Sequence, residues 1–319
     1  MKTLILSHSD CDGLCSAALL KSVYPDAEIF FTKPVSLLSD LKDLAKNYEK
    51  ILISDIAINK RDAKEIASFI EKSKKEIEWF DHHIVPSPLK QPDLRCNYYT
   101  NLDACASEII YRHYKNQLPQ EKVWLAIYGA IGDYSAESPF VKEWMKNWDI
   151  RALYFEVSTL VLGIKGDKFN NYSTKRKIVL ALSSGKNPSD ITGLVDAAKN
   201  AVSREFELYE IIKKTVKTRG SIAYADKIPH FGFRGPSALF AATAANKSVG
   251  FLVFTTENFI DITMRSTDPQ IPLNIIAEKA SEFVGGSGGG HPTASGCRIP
   301  LGTFEKFLEK ANEVLKNYL

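Results

Sequence analysis

Apolar and polar positions change register along the first 80 residues. Short apolar runs at Thr3 to Ser7, Glu28 to Thr32, Lys50 to Ser54 and Glu76 to Phe80 predict strands. Between them, Leu14 to Tyr24, Leu37 to Lys46 and Lys60 to Lys72 carry apolar residues at helical spacing. Strands that alternate with helices predict an α/β fold whose sheet is doubly wound and mainly parallel, because each parallel pair needs a crossover connection. Such sheets bind ligands beyond the carboxyl ends of their strands.

After residue 100 the pattern is mainly helical, with helices expected over Ala104 to Tyr114, Gln120 to Ile131, Val141 to Leu162 and Tyr172 to Leu182. The turn formers of Ser183-Ser184-Gly185-Lys186-Asn187-Pro188-Ser189-Asp190 mark the end of a first domain. The expected division is a domain over 1–188, a linker helix over 189–218 and a smaller C-terminal α/β domain over 219–319. In the last of these, Ser221 to Ala225, Val249 to Thr255 and Phe259 to Ser266 predict strands, and Glu257-Asn258 predicts a hairpin turn. Helices are expected at Pro236 to Asn246, Leu273 to Val284 and Phe304 to Tyr318, with the run Gly285 to Gly290 as a loop. No internal repeat is visible.

Composition narrows the class. The 319 residues are 45% hydrophobic and 25% charged, the balance of a globular protein and not of a disordered one. The longest apolar run, Val123 to Gly132, is half of the roughly 20 residues a spanning helix needs, so no membrane segment is expected. The first residues turn polar too soon for a secretory signal. Five cysteines without a Cys-x-x-Cys pair argue against a disulfide framework or zinc ribbon and favour a reduced, cytoplasmic setting. A formal charge of +3 is too small to hold a long polyanion by charge alone, so a nucleic-acid partner would be short.

The candidate chemistry sits at strand ends. His8-Ser9-Asp10-Cys11-Asp12-Gly13 follows the first strand, Asp55 follows the third and Asp81-His82-His83 follows the fourth; Gly132-Asp133 adds another carboxylate after a long apolar stretch. Taken singly, each Asp is equally a helix N-cap. Three acidic strand ends at one sheet edge, however, would repel and raise one another's pKa unless cations neutralise them. Aspartate oxygen and histidine nitrogen without thiolate suit Mn²⁺ or Mg²⁺, with other first-row metals open. The number of ligands suggests two ions, an arrangement that suits in-line displacement at phosphorus.

These residues resemble the four motifs of the DHH phosphoesterase superfamily. Gly288-Gly289-Gly290-His291-Pro292-Thr293-Ala294-Ser295-Gly296 resembles the signature of the associated DHHA1 domain, so the likeness spans nearly the whole chain. It implies metal ligation by His8, Asp10 and Asp55 at one ion and by Asp12, Asp55, His82 and Asp133 at the other, with Asp55 as the bridge. The spacing of His8 from Asp10 is two residues where some members have four, and water is the alternative ligand there. The resemblance further implies that Asp81 orients His82 and that His83 faces the substrate phosphate. Asp55, His83 and Asp133 then form the catalytic set.

For the C-terminal domain it implies substrate binding by Arg265, Ser266, Gly288, Gly289, Gly290 and His291. Glycine-rich loops expose backbone N–H groups to anions, and alternation along Phe259 to Ser266 puts Arg265 on the polar face. Ser107 is read either as an N-cap or as a small hydroxyl near the site. His113 and His230 match no motif, and Cys11 is near the acids without being needed as a ligand.

The implied function is a Mn²⁺-dependent, two-metal phosphodiesterase that removes residues from the end of short single-stranded oligonucleotides, like nanoRNases and oligoribonucleases. RecJ-like relatives that process long strands usually carry an added OB-fold groove of about 100 residues, which is missing here. A RecJ-like exonuclease, or hydrolysis of 3′-phosphoadenosine 5′-phosphate or of linear or cyclic dinucleotides, stays open. So does a non-catalytic replication-complex partner. Expected partners are short RNA or DNA or nucleotides, no membrane, and a second copy as an open option.

Overall fold

The computed structural model describes residues 1–229 and 232–319, so His230 lies outside the described residues. The chain divides into two compact units, Met1–Ala201 and Val202–Leu319.

The first unit is built on a five-stranded sheet. Strands β1 (Thr3–Ser7), β2 (Glu28–Phe31), β3 (Lys50–Ser54), β4 (Glu76–Asp81) and β5 (Asn97–Thr100) lie in the order β2-β1-β3-β4-β5 and are all parallel. The sheet is doubly wound, as the alternation predicts. Ile5, Leu52 and Phe80 pack under α1 (Cys11–Val23), α4 (Ala106–Tyr114) and α5 (Val123–Gly132). Leu4, Leu6, Ile51, Ile53 and Trp79 pack on the opposite side, under α2 (Leu37–Leu44) and α3 (Ala63–Lys72). Neighbouring residues of one strand thus feed two cores, which is why these strands read as unbroken apolar runs.

Two expectations change. The single helix expected over Val141 to Leu162 is α6 (Pro139–Met145) followed by α7 (Ile150–Gly163), because Asp149 accepts from the N–H of Arg151 and starts a new helix. Strand β5 has only four residues with polar ends, too short for its alternation to register. Helix α8 (Tyr172–Ser183) completes the unit, and α9 (Leu194–Thr215) runs across the division of the chain.

The second unit carries β6 (Lys217–Arg219), β7 (Ile222–Asp226), α10 (Arg234–Ala244), β8 (Val249–Thr255), β9 (Phe259–Ser266), α11 (Leu273–Phe283), β10 (Ser287–His291), β11 (Ala294–Pro300) and α12 (Phe304–Leu315). Its mixed sheet has the order β10-β11-β9-β8-β7-β6. Ile260, Ile262 and Met264 of β9 pack against α11 and α12, while Ala225 and Leu252 meet α9 and α10 on the other face.

The glycine run is a correction. Gly288, Gly289 and Gly290 belong to the edge strand β10, not to a loop, and pair with β11 in antiparallel register. A side chain at Gly288 would collide with Cys297 and with the backbone of Ala277 in α11, and Gly290 has a φ of +134°, so the strand itself requires both glycines. Among the described residues no helix is long and apolar enough to cross a membrane, and all five cysteines are free thiols.

Candidate metal centre

The order of the first sheet reverses between β1 and β3, and the acids collect at the carboxyl ends beside this switch point. The turn after β1 is held from both sides. His8 N–H donates to the Ser54 carbonyl (3.3 Å), extending the ladder, and Ser7 Oγ donates to the Gly13 carbonyl (2.7 Å). A side chain at Gly13 would run into the His8 carbonyl, so glycine is needed for the chain to turn directly into α1.

Asp10 is the N-cap of α1, and its Oδ1 accepts from Gly13 N–H (3.1 Å). Its Oδ2 lies 2.8 Å from Nδ1 of His8, which is also 3.7 Å from Oδ2 of Asp55. The charge of Asp10, outweighing burial, drives the His8 imidazole up to about 11. His8 therefore reaches the acidic cluster in spite of its short spacing.

Asp12 is buried and spans to another element: Oδ2 accepts from Ala106 N–H (2.8 Å) and Oδ1 from Ser107 N–H (3.0 Å). Those are orphan donors at the start of α4, whose N-cap, Cys105, supplies no side-chain bond. The cap comes from a distant part of the chain, and Ser107 is not itself the N-cap. Gly129 lies against this contact, where any side chain would meet Asp12 and Ser107.

Asp55 is the centre of the cluster. It is 4% exposed and has a φ of +56°, in the left-handed region that non-glycine residues rarely occupy. Its N–H donates to the Phe80 carbonyl (3.0 Å), and its Oδ1 lies 3.6 Å from Nε2 of His82. Its buried Oδ2 has no hydrogen-bond partner among the described residues. Burial, then the charges of Asp10 and Asp12, push its carboxyl well above the ordinary range. Asp133 caps the C-terminus of α5 and places Oδ2 3.4 Å from Nε2 of His82; burial and then Asp12 push it up to about 8.

The ligand atoms of His8, Asp10 and Asp55 lie within 4.8 Å of one another, as do those of Asp12, Asp55 and His82. A third such set is Asp55, Asp81 and His83, so three sets of oxygen and imidazole donors share one buried carboxylate with an unsatisfied oxygen. Such a donor set fits divalent cations, which would supply the charge that these carboxylates lack.

Asp81 departs from expectation. Its Oδ1 is 2.7 Å from Nδ1 of His83, and Oδ2 accepts from Tyr98 OH (3.4 Å), so this carboxylate holds His83, where the expectation had it orienting His82. Burial works to lower the His83 pKa, but the Asp81 bond together with the charges of Asp81 and Asp55 outweighs it and raises the pKa. Tyr98, which lies on the strand absent from the sequence pattern, was not foreseen. Neither was Lys175 of α8, whose Nζ donates to the Ser9 carbonyl (2.7 Å) and braces the His8-to-Asp10 turn. His113 packs its ring against Tyr99 and Phe80 instead.

In the second unit, strand register brings the remaining candidates together. His291 pairs with Ala294, and Ala294 pairs with Arg265, so the three form one row across β10, β11 and β9 on one face. The next row on that face is Gly289, Gly296 and Thr263. Arg265 and His291 thus flank a shelf of small residues, about 10 Å apart by strand spacing. Arg265 Nη1 donates to its neighbour's carbonyl, Met264 (2.8 Å). Ser266 Oγ donates to the carbonyls of Ser248 and Asp268, which commits it to the turn after β9.

Two family models match the chain: the N-terminal domain of the DHH family over residues 2–131 and the DHHA1 domain over residues 238–317. Among solved structures, the pGpG-specific phosphodiesterase PggH from Vibrio cholerae is 17% identical, with a TM-score of 0.60 over 100% of both chains. RecJ from Thermus thermophilus in complex with Mn²⁺ is 15% identical with a TM-score of 0.69; the match covers 100% of this chain but 52% of RecJ. An exopolyphosphatase-related protein from Bacteroides fragilis is 17% identical, with a TM-score of 0.57 over 99% of this chain and 92% of its own. At such identities the likeness is one of fold. No curated protein matches the chain by sequence.

Proposed function

We propose that this chain, a phosphoesterase of the DHH family with a DHHA1 domain, is a Mn²⁺-dependent phosphodiesterase that shortens single-stranded oligonucleotides of a few residues from an end. The observation that carries the reading is Asp55, a buried carboxylate with an unpartnered oxygen common to three donor sets, of which the two with His8 and Asp10 and with Asp12 and His82 are taken as the ion sites. In this reading His8, Asp10 and Asp55 hold one ion, and Asp12, Asp55, His82 and Asp133 hold the other. Bound ions would supply Lewis-acid charge and an activated water for in-line displacement. The two N–H groups on Asp12 fix its carboxylate and leave each oxygen a free lone pair.

In this reading His83, tied through Nδ1 to Asp81, meets a phosphate oxygen, and its raised pKa favours the protonated, charge-neutralising form. Arg265 and His291 on the polar face of the second sheet grip the terminal phosphate, and Gly289 and Gly296 leave room for the backbone of the nucleotide to approach. Short substrates fit the formal charge of only +3, and the full-length likeness to a dinucleotide phosphodiesterase adds support.

The test is Mn²⁺-dependent hydrolysis of end-labelled RNA and DNA from two to about 24 nucleotides, a range in which a stacking groove would favour the longer members. 3′-Phosphoadenosine 5′-phosphate and a cyclic dinucleotide complete the panel. Rates highest on the shortest strands support the proposal. Rates highest on the longest move the protein to RecJ-like exonucleases, and no turnover of any substrate favours a non-catalytic role.

A further inference from the structure

Tyr134 directly follows Asp133 and is the first residue beyond the cap of α5. Its N–H donates to the Ile131 carbonyl (3.3 Å), and Ser135 N–H donates to the Ala130 carbonyl (2.8 Å). This pair of bonds closes a helix through a left-handed residue, a position that glycine usually fills. Tyr134 has a φ of +58°, so its Cβ makes the backbone unfavourable there. Packing gives nothing back, since the residue is 96% exposed. Local energetics therefore supply no reason for an aromatic ring at this position.

Its location does. Asp133 places Oδ2 3.4 Å from Nε2 of His82, so Tyr134, the next residue in the chain, adjoins the rim of the acidic cluster. Other exposed apolar residues continue that rim. Val35, Ile84 and Leu102 follow the carboxyl ends of β2, β4 and β5 and are 63%, 68% and 65% exposed. Because every strand of this sheet is parallel, these residues lie along the edge that carries the acids. A charged centre with an apolar border matches a ligand that joins a phosphate to a flat apolar body. Nucleobases have that form, and their stacking on aromatic side chains is favourable whatever the base.

We propose that Tyr134 is a substrate-specificity residue whose ring stacks on the nucleobase next to the scissile phosphate. The assignment rests on the nucleotide phosphodiesterase reading above. It is tested by kcat/KM with Mn²⁺ on a linear dinucleotide and on an abasic dinucleotide of the same backbone, for the unaltered protein, Tyr134→Phe and Tyr134→Gly. Tyr134→Phe should stay within about twofold on both substrates, as stacking does not need the hydroxyl. Tyr134→Gly should lose about 5- to 20-fold on the base-bearing substrate and nothing on the abasic one, the lower range for one exposed stack. Its Tm should equal or exceed that of the unaltered protein, because glycine suits the left-handed position, and its Mn²⁺ affinity should not change.

An equal loss on both substrates, no loss on either, or a lowered Tm for Tyr134→Gly overturns the stacking role alone. If the unaltered protein hydrolyses neither dinucleotide, the functional reading fails and this assignment fails with it.

Discussion

Asp81 holds His83 by a 2.7 Å contact between Oδ1 and Nδ1, and its other oxygen accepts from Tyr98. The adjacent His82 instead points Nε2 toward Asp55 and Asp133. The two neighbouring histidines therefore have different partners, His82 facing Asp55 and Asp133 and His83 bonded to Asp81, although His83 also lies with Asp55 and Asp81 in a set of candidate ligand atoms. Asp81→Asn should lower kcat about 10- to 100-fold, the range seen when a carboxylate behind a metal-bound histidine is lost. Mn²⁺ affinity should barely change, and parallel kinetics and metal titration check the split.

Asp55→Ala removes the carboxylate common to the candidate ligand sets. Turnover should drop by several orders of magnitude, and Mn²⁺ stoichiometry measured by calorimetry should fall. The metal-free variant should be at least as stable as the unaltered protein, because its loss relieves a buried carboxylate crowded by Asp10 and Asp12. Full Mn²⁺-dependent activity in a folded Asp55→Ala protein would sink the two-metal assignment.

Stability without metal should depend on pH in a defined direction. Asp133 titrates at 3.8 in the unfolded chain and about 8 when folded. Its protonated form favours folding, so the contribution is complete below 3.8 and is lost as the pH rises through about 8. Asp55 is raised in the same direction, and His8, folded at about 11 against 6.5, adds to the decline above neutrality. With chelator present, Tm should therefore fall from pH 4 to 8. Mn²⁺ at about 100 times its Kd should restore about 2.7 kcal/mol by mass action, a shift that thermal scans at several pH values would read.

Gly129→Ala probes the support of Asp12. The added methyl group would press on the Asp12 and Ser107 side chains. Overpacking of this kind costs about 1–3 kcal/mol, and displacement of Asp12, a candidate ligand, should reduce activity more than the fall in Tm implies. Unchanged kcat/KM in this variant would show that Asp12 tolerates movement.

The legible parts of the site share one property: their positions depend on nearby residues. His8, Asp10, Asp55 and His82 follow apolar runs, and in a parallel sheet the end of every such run lies at the same edge. Asp133 could be read for a related reason, as the first acid after an apolar helix. The illegible parts depend on contacts between distant segments. No local pattern says that Asp12 will cap α4, that Lys175 will reach the Ser9 carbonyl, or that Tyr98 will meet Asp81.

The sequence by itself determined the doubly wound sheet, the edge at which its acids gather and the polar side of β9 that bears Arg265, because periodicity and chain direction are local properties. Only the tertiary structure decided which histidine Asp81 holds, made the glycine run an edge strand, and set His291 in one row with Arg265. Those outcomes rest on strand register and on where distant backbone donors end up, and both are settled by packing of the whole domain rather than by any neighbouring residue.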